Sequence, residues 1–266
     1  MSTAYPFARP LYVMAKPAGP QCNLRCEYCY YLEKQHLSEQ HRGTMTDKLL
    51  EQYIRDYIQL QQTPDVLFTW HGGEPMLRPL TFYKQAVRLQ QYYGRGKRIS
   101  NSIQTNGTLL TPEWCQFLHD EGWLVGISID GTEEQHDAYR RDVLGQGTWQ
   151  RVVDGIKMLN DYHVEWNAMA TANHHNAQDP LAFYKFFRDE LGCKFLQISP
   201  VVERIKQHSD GRHLAQLFDE DCPLAPFSIR PEEWGRFMCA IFDEWVKHDV
   251  GEVFVQLFDA TLAGRS

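Results

Sequence analysis

Short runs rich in β-branched and aromatic residues alternate along the chain with longer stretches whose apolar positions recur every three or four residues. The runs at 11–15, 66–70, 99–104, 124–129, 164–171 and 195–199 are predicted strands, and the stretches at 46–60, 80–93, 112–121, 148–162 and 180–191 are predicted helices. In the first helix Leu49, Leu50, Tyr53, Ile54 and Tyr57 share one face, the stripe that a helix buries. Thr111, Pro112 and Glu113 mark a helix start: a capping hydroxyl, a ring that already holds helical φ, and an acid in the first turn. Past residue 200 the pattern loosens into a loop over 203–226, rich in Asp, His, Gly and Pro. It tightens again in a helix over 231–247, where Trp234, Phe237, Met238, Ile241, Phe242 and Trp245 recur at helical spacing, and in a last candidate strand at 252–258.

Strands that alternate with helices long enough for right-handed crossovers predict an α/β fold around a parallel sheet. A symmetrical closed barrel needs eight strands, and only six are found before residue 200. A doubly wound sheet needs a glycine fingerprint after its first strand, where this chain carries cysteines. The expected architecture is a partial (β/α)6 TIM-like barrel over 1–230, with 231–266 as a helix and the start of a C-terminal extension.

Composition excludes several classes. With 43% apolar and 23% charged residues, the 266-residue chain can bury a large core. Its formal net charge is −7 and no Lys/Arg run exceeds two residues, so nucleic acid is not an expected partner. No apolar stretch approaches the ~18 residues of a membrane span, and the N-terminus lacks the order of a signal peptide. A cytoplasmic protein without a membrane partner is expected.

Cys22, Cys26 and Cys29 crowd the loop after the first strand; Cys115, Cys193, Cys222 and Cys239 are scattered and read as structural. Three thiolates in one short loop can face a common point, which suits an iron-sulfur cluster or a zinc ion. Structural zinc usually takes two ligand pairs, and no second pair stands at that spacing; His36 and His41 follow too closely. Three cysteines without a fourth fit a [4Fe–4S] cluster that keeps one iron open. Among the other histidines, His71, His174, His175, His208 and His213 read as solvated or substrate-lining, because neighbours such as His174 and His175 point to opposite faces of a strand. Asp130, at the mouth after the fourth strand, could face a substrate.

Cys-x3-Cys-x2-Cys with an aromatic before the last cysteine resembles the signature of radical S-adenosylmethionine (SAM) enzymes, whose fold is a six-unit partial barrel. The resemblance implies a [4Fe–4S] cluster on Cys22, Cys26 and Cys29 whose open iron chelates SAM and cleaves it to methionine and a 5′-deoxyadenosyl radical. It also implies SAM contacts from Tyr28 along the adenine, from Gly72, Gly73 and Glu74 at the amino group, and from Ser128 at the ribose or carboxylate. Arg140 would pair with the carboxylate, and Leu196 would make an apolar contact to the adenine. The run from Lys16-Pro17 through Trp70 to Pro75, Ser102 to Leu109, Gly126 to Gly131 and Gln197 to Glu203 is similar to anaerobic sulfatase-maturating enzymes.

That second resemblance implies oxidation of a Cys or Ser side chain of a sulfatase to Cα-formylglycine. It also implies a sulfatase polypeptide as substrate and a reductant such as flavodoxin or ferredoxin. Family members continue into a Cys-rich auxiliary-cluster (SPASM) domain that carries the general base, and this chain is expected to lack it, since no cysteine follows Cys239. The competing expectations are another peptide-modifying maturase, such as a thioether-forming one, and a zinc-binding structural module.

Overall fold

The computed structural model describes residues 10–32, 43–206 and 220–264. Seven parallel strands lie side by side in chain order. They are β1 (Met14–Ala15), β2 (Asp65–Trp70), β3 (Arg98–Thr105), β4 (Leu124–Ser128), β5 (Trp166–Ala172), β6 (Phe195–Pro200) and β7 (Phe254–Val255). Between β1 and β6 run α1 (Asp47–Leu60), α2 (Leu80–Tyr93), α3 (Pro112–Asp120), α4 (Glu133–Asp137), α5 (Trp149–Asp161) and α6 (Pro180–Lys185), the last extended by a π turn at Phe186–Glu190. After β6 come α7 (Pro231–His248) and, beyond β7, α8 (Gln256–Ala263). The helical crossovers give the open α/β barrel its outer layer. Among the described residues, no helix is long and apolar enough to cross a membrane.

Each strand turns alternate residues to opposite faces. Phe68 and Trp70 of β2, Val125 and Ile127 of β4, and Ala168, Ala170 and Ala172 of β5 are buried in the core cluster beneath the helices. Large rings fill that layer: Trp70 stacks on Trp123 at 6.3 Å and 9°, with Tyr83 edge-on to both. One polar group crosses it. Asn101 Oδ1 accepts from Trp70 Nε1 at 3.0 Å and Gln90 Nε2 at 2.9 Å, and Asn101 Nδ2 returns a bond to Gln90 Oε1. The opposite, concave face carries the smaller polar side chains Thr69, Ser102, Gln104, Ser128 and Thr171.

Four differences from the expected elements have physical causes. The first strand shrinks from 11–15 to two residues, because side chains of α1 and of its C-cap Gln61 take the place of ladder partners: Tyr57 Oη and Gln61 Nε2 donate to Leu11 O, and Tyr53 Oη to Val13 O. In α1 itself Leu49 is half exposed, and the buried set is Leu50, Ile54, Tyr57 and Ile58. The last run is a strand for only two residues. It then turns into α8, where Phe258 packs on Phe242 and Trp245, both at 5.2 Å. The segment around 203–226 is tied at its base, with Ile205 N donating to Pro223 O and Ala225 N to Glu203 O. His208 and His213 lie outside the described residues, as do His36 and His41. The helix α7 buries Phe237, Ile241 and Trp245 in the same core as the barrel, with Phe237 5.0 Å from Phe183.

Replacing Asn101 with Leu strands the indole N–H of Trp70 and the Gln90 carboxamide in an apolar layer. Urea unfolding is expected to show a loss of about 2 kcal/mol or more, at roughly 1–3 kcal/mol per unpaired group.

Candidate active site

The loop that carries the cysteines is held from three sides at the carboxyl ends of the strands. On the first side Gly73 N donates to Gly19 O and Glu74 N to Gln21 O, at 2.9 and 2.7 Å. No side chain fits there: a Cβ on Gly73 would stand 2.1 Å from Gln21 O, and one on Gly72, whose φ is +122°, 2.8 Å from Gly19 O. The glycines therefore serve a backbone approach to the cysteine loop itself, a role that the expected ligand contact did not include. On the second side, Asn23 Nδ2 donates to Thr108 Oγ1 and Asn106 Nδ2 to Asn23 Oδ1, both at 2.9 Å. On the third, Arg25 N donates to Arg141 O and Glu27 N to Tyr139 O.

Within this frame Cys26 is buried and Cys22 and Cys29 are half-buried, all three as free thiols. Leu24 N donates to Cys22 Sγ at 3.3 Å, and the positive charge of the nearby Arg140 guanidinium favours the Cys26 thiolate. Burial, with the neighbouring cysteines adding to it, pushes the Cys22 thiol up to about 12 and the Cys26 thiol up to about 11. The three sulfurs are thus close enough to repel as thiolates. Three thiols in one loop suit an iron-sulfur cluster, whose iron would supply the positive charge that these thiolates lack.

Glu74 is fully buried at the end of β2. Its Oε1 accepts from Met76 N at 2.9 Å and Thr105 Oγ1 at 2.8 Å, and its Oε2 from Asn106 N at 2.8 Å. Desolvation outweighs those bonds and pushes the carboxyl up to about 7. The carboxylate therefore staples β2 to β3, with the backbone of the Gly72–Glu74 turn beside the cysteine loop.

Above β4 lies a second buried carboxylate. Asp130 Oδ2 accepts from Tyr28 Oη and from Arg140 Nε at 2.9 Å, and Oδ1 accepts from Thr171 N at 2.8 Å. Asp130 is wholly buried and all its donors belong to the protein, so it does not face a substrate. Arg140 also reaches Thr171 Oγ1 at 3.4 Å and lies 5.5 Å over the Tyr28 ring. Tyr28 meets Tyr139 and Phe227 edge-on at 6.3 and 6.2 Å, and burial raises its phenol well above the usual range. Beneath, His136 Nδ1 accepts from Asp130 N, and its Nε2 meets Thr148 Oγ1, which donates to Arg140 O. Burial lowers His136 to about 3, so the ring is neutral.

Ser128 sits on the concave face and accepts from Gln104 Nε2 at 3.0 Å. Leu196 does not. It pairs in register with Ala168, is 2% exposed, and belongs to the core beneath the helices. The alternation of β6 puts Gln197 on the concave face instead, and the apolar side chain exposed beyond the strand is Val202. His174 leaves the interior to pair with Glu233 at 2.9 Å, and His175 lies edge-on to Tyr139. His71 Nδ1 accepts from Gly72 N at 2.7 Å. Cys115 and Cys193 are buried as expected of structural cysteines, whereas Cys222 is half-buried and Cys239 exposed. Asn106, Tyr139, Thr171 and Phe227 are the site residues that the sequence pattern alone did not mark.

The profile of the radical SAM superfamily matches residues 17–187, which include the cysteine loop, the Glu74 turn and the Asp130–Arg140 pair. The chain belongs to the radical SAM superfamily. Enzymes of this superfamily use a [4Fe–4S] cluster and SAM. A serine-type anaerobic sulfatase-maturating enzyme of Bacteroides thetaiotaomicron is 56% identical over 98% of this chain and 64% of its own length. A cysteine-type enzyme of Clostridium novyi is 33% identical over 96% of this chain and 65% of its own. The solved structure of native anSMEcpe with bound AdoMet and Cp18Cys peptide superposes with a TM-score of 0.80 at 30% identity, covering 94% of this chain and 64% of that one. The radical SAM chain thus spans just under two thirds of the length of these relatives.

His136 ties acid stability to this network. Unfolded, the imidazole takes up a proton below about 6.5; folded, it stays neutral to about 3. Stability is therefore expected to fall as pH drops through that window, by up to ~1.4 kcal/mol per pH unit. Chemical unfolding of the wild type and His136→Gln at matched pH should show the smaller slope in the variant.

Proposed function

We propose that Cys22, Cys26 and Cys29 hold a [4Fe–4S] cluster, and that the chain is the SAM-cleaving core of an anaerobic sulfatase maturase that oxidises a side chain to Cα-formylglycine. The observation that carries this is the extent of the likeness: 56% identity along 98% of the chain to a serine-type maturase. The cysteine-type relative, at 33%, is the more distant, so a seryl residue of a sulfatase is the expected target. When bound, the cluster and SAM together supply a one-electron reductive cleavage that yields the 5′-deoxyadenosyl radical.

The chain's own residues prepare the surface on which this happens. The turn of Gly72, Gly73 and Glu74 offers backbone oxygens to the SAM ammonium group beside the cysteine loop. Arg140 stands at the mouth with a guanidinium fork suited to a carboxylate; Asp130 holds it in place and neutralises it meanwhile. Ser128 and Gln104 face the concave side, where a ribose would need hydroxyl partners. Tyr28 and Phe227 wall the mouth with rings and limit water. Oxidation of the seryl group removes two hydrogens: one atom from Cβ, one proton from the hydroxyl to a base, and one electron to an acceptor. A low-potential protein such as flavodoxin or ferredoxin would reduce the cluster. A reducing cytoplasm suits three free thiols.

Anaerobic reconstitution tests the first step. The wild type is expected to bind iron and sulfide and to release 5′-deoxyadenosine from SAM with dithionite, and Cys26→Ala to lose both chromophore and cleavage. Zinc without iron in the anaerobically purified chain would overturn the cluster assignment and favour the zinc module. A sulfatase peptide that gains an aldehyde marks the maturase; a thioether cross-link would mark the other kind.

Arg140→Lys keeps the charge beside Asp130 and loses the fork. It should weaken SAM binding roughly tenfold to a hundredfold, a change of about 1.4–2.7 kcal/mol, while iron content stays the same. Unchanged affinity in calorimetry would remove Arg140 from the SAM site.

A further inference from the structure

The three sulfurs are not supported alike. Cys22 has two N–H groups aimed at it, Leu24 N at 3.3 Å and Asn106 Nδ2 at 3.7 Å. The second comes from the end of another strand, and its orientation is fixed. Thr108 N, which can only donate, binds Asn106 Oδ1 at 3.0 Å, and Thr108 Oγ1 reaches the same oxygen at 2.7 Å. With its oxygen on Thr108, the carboxamide must turn its NH2 toward the cysteine loop. There it donates to Asn23 Oδ1 at 2.9 Å and faces Cys22. Asn23 gives its own Nδ2 to Thr108 Oγ1, which closes a ring of three side chains. Asn106 N is in turn held by Glu74 Oε2, and the residue is 7% exposed. A turn at Asn106-Gly107 needs only the carboxamide oxygen; of the two hydrogens on the nitrogen, one goes to Asn23 and the other is left for the sulfur.

We propose that Asn106 is a positioning residue for the cluster, donating its Nδ2–H to the Cys22 sulfur so that the cluster is easier to reduce. The inference rests on the assignment of Cys22, Cys26 and Cys29 as the cluster's ligands. Reduction by a low-potential one-electron donor adds one negative charge to the cluster and its thiolates and breaks no bond. An N–H directed at a ligand sulfur stabilises that added charge more than the oxidised state, so it raises the reduction potential. Burial and the nearby Glu74 carboxylate oppose that charge at Cys22, while the Arg140 guanidinium favours it at Cys26.

Two substitutions separate the donor from the shape. Asn106→Asp keeps an oxygen for Thr108 and replaces the donor with a second oxygen; Asn106→Ala removes both. In chains reconstituted anaerobically to equal iron content and titrated without SAM, the EPR-monitored midpoint is expected to move negative in both, further in the Asp variant. An unchanged midpoint in iron-replete Asn106→Ala overturns the proposal. Should neither variant hold the cluster, the wild type with isotopically labelled nitrogen in its asparagine side chains decides. Hyperfine coupling from that nitrogen to the reduced cluster supports the bond, and its absence overturns it. A wild type that binds no iron overturns the ligand assignment together with this inference, whereas a loaded cluster indifferent to Asn106 overturns this inference alone.

Discussion

One buried carboxylate holds the site together. Asp130 receives Tyr28 from the cysteine loop, Arg140 from the segment after α4, and the Thr171 amide from β5. Three pieces of chain distant in sequence thereby meet at one side chain that is wholly enclosed. Breaking such a pair by removing one member leaves an uncompensated charge in a medium of low dielectric, commonly at several kcal/mol. The arrangement also keeps a guanidinium beside Cys26 without leaving its charge unmatched. The neutral His136 beneath it joins Asp130 to Thr148 and, through Thr148, to the Arg140 carbonyl. The geometry of the mouth is thus set by hydrogen bonds that a loop alone could not supply.

The barrel and the cysteine loop were legible in the sequence because each rests on a local signal. Strand periodicity survives in β2 through β6, since one face of each is packed beneath helices and the other is polar and concave. The cysteines announce themselves by spacing. Less legible was which way a side chain turns. Leu196 lies on the strand expected for it, yet register with Ala168 turns it into the helical layer. Glu74 occupies the right turn, but three donors of the protein occupy its carboxylate before any ligand arrives. The role of Asp130 stays open in the sequence because its partners come from residues 28, 140 and 171, a convergence that no window of sequence displays. Phe227 lay in a stretch without periodicity, where only tertiary contact could mark it.

The two glycines of the Glu74 turn show how a motif can serve a site at one remove. Their missing side chains admit the backbone of residues 19–21, and the hydrogen bonds from Gly73 and Glu74 then fix where the first cysteine begins. The same loop is braced on its other flanks by Asn106 and by the strand-like contacts to Tyr139 and Arg141. A flexible loop with three thiols would be free to form disulfides or to bind stray metal; one braced on three sides offers its sulfurs in a single arrangement.

An incomplete barrel has two rims of sheet that a closed one abolishes. Here both are only two residues long, Met14–Ala15 on one side and Phe254–Val255 on the other. The chain just before β1 would extend the first rim, but its Leu11 and Val13 carbonyls already accept bonds from α1. Past β7 the backbone coils at once into α8 and withdraws its amides. Among the described residues, neither border offers a run of unpaired N–H and C=O groups long enough to template a foreign strand. The concave face can therefore stay open without inviting aggregation along its seams.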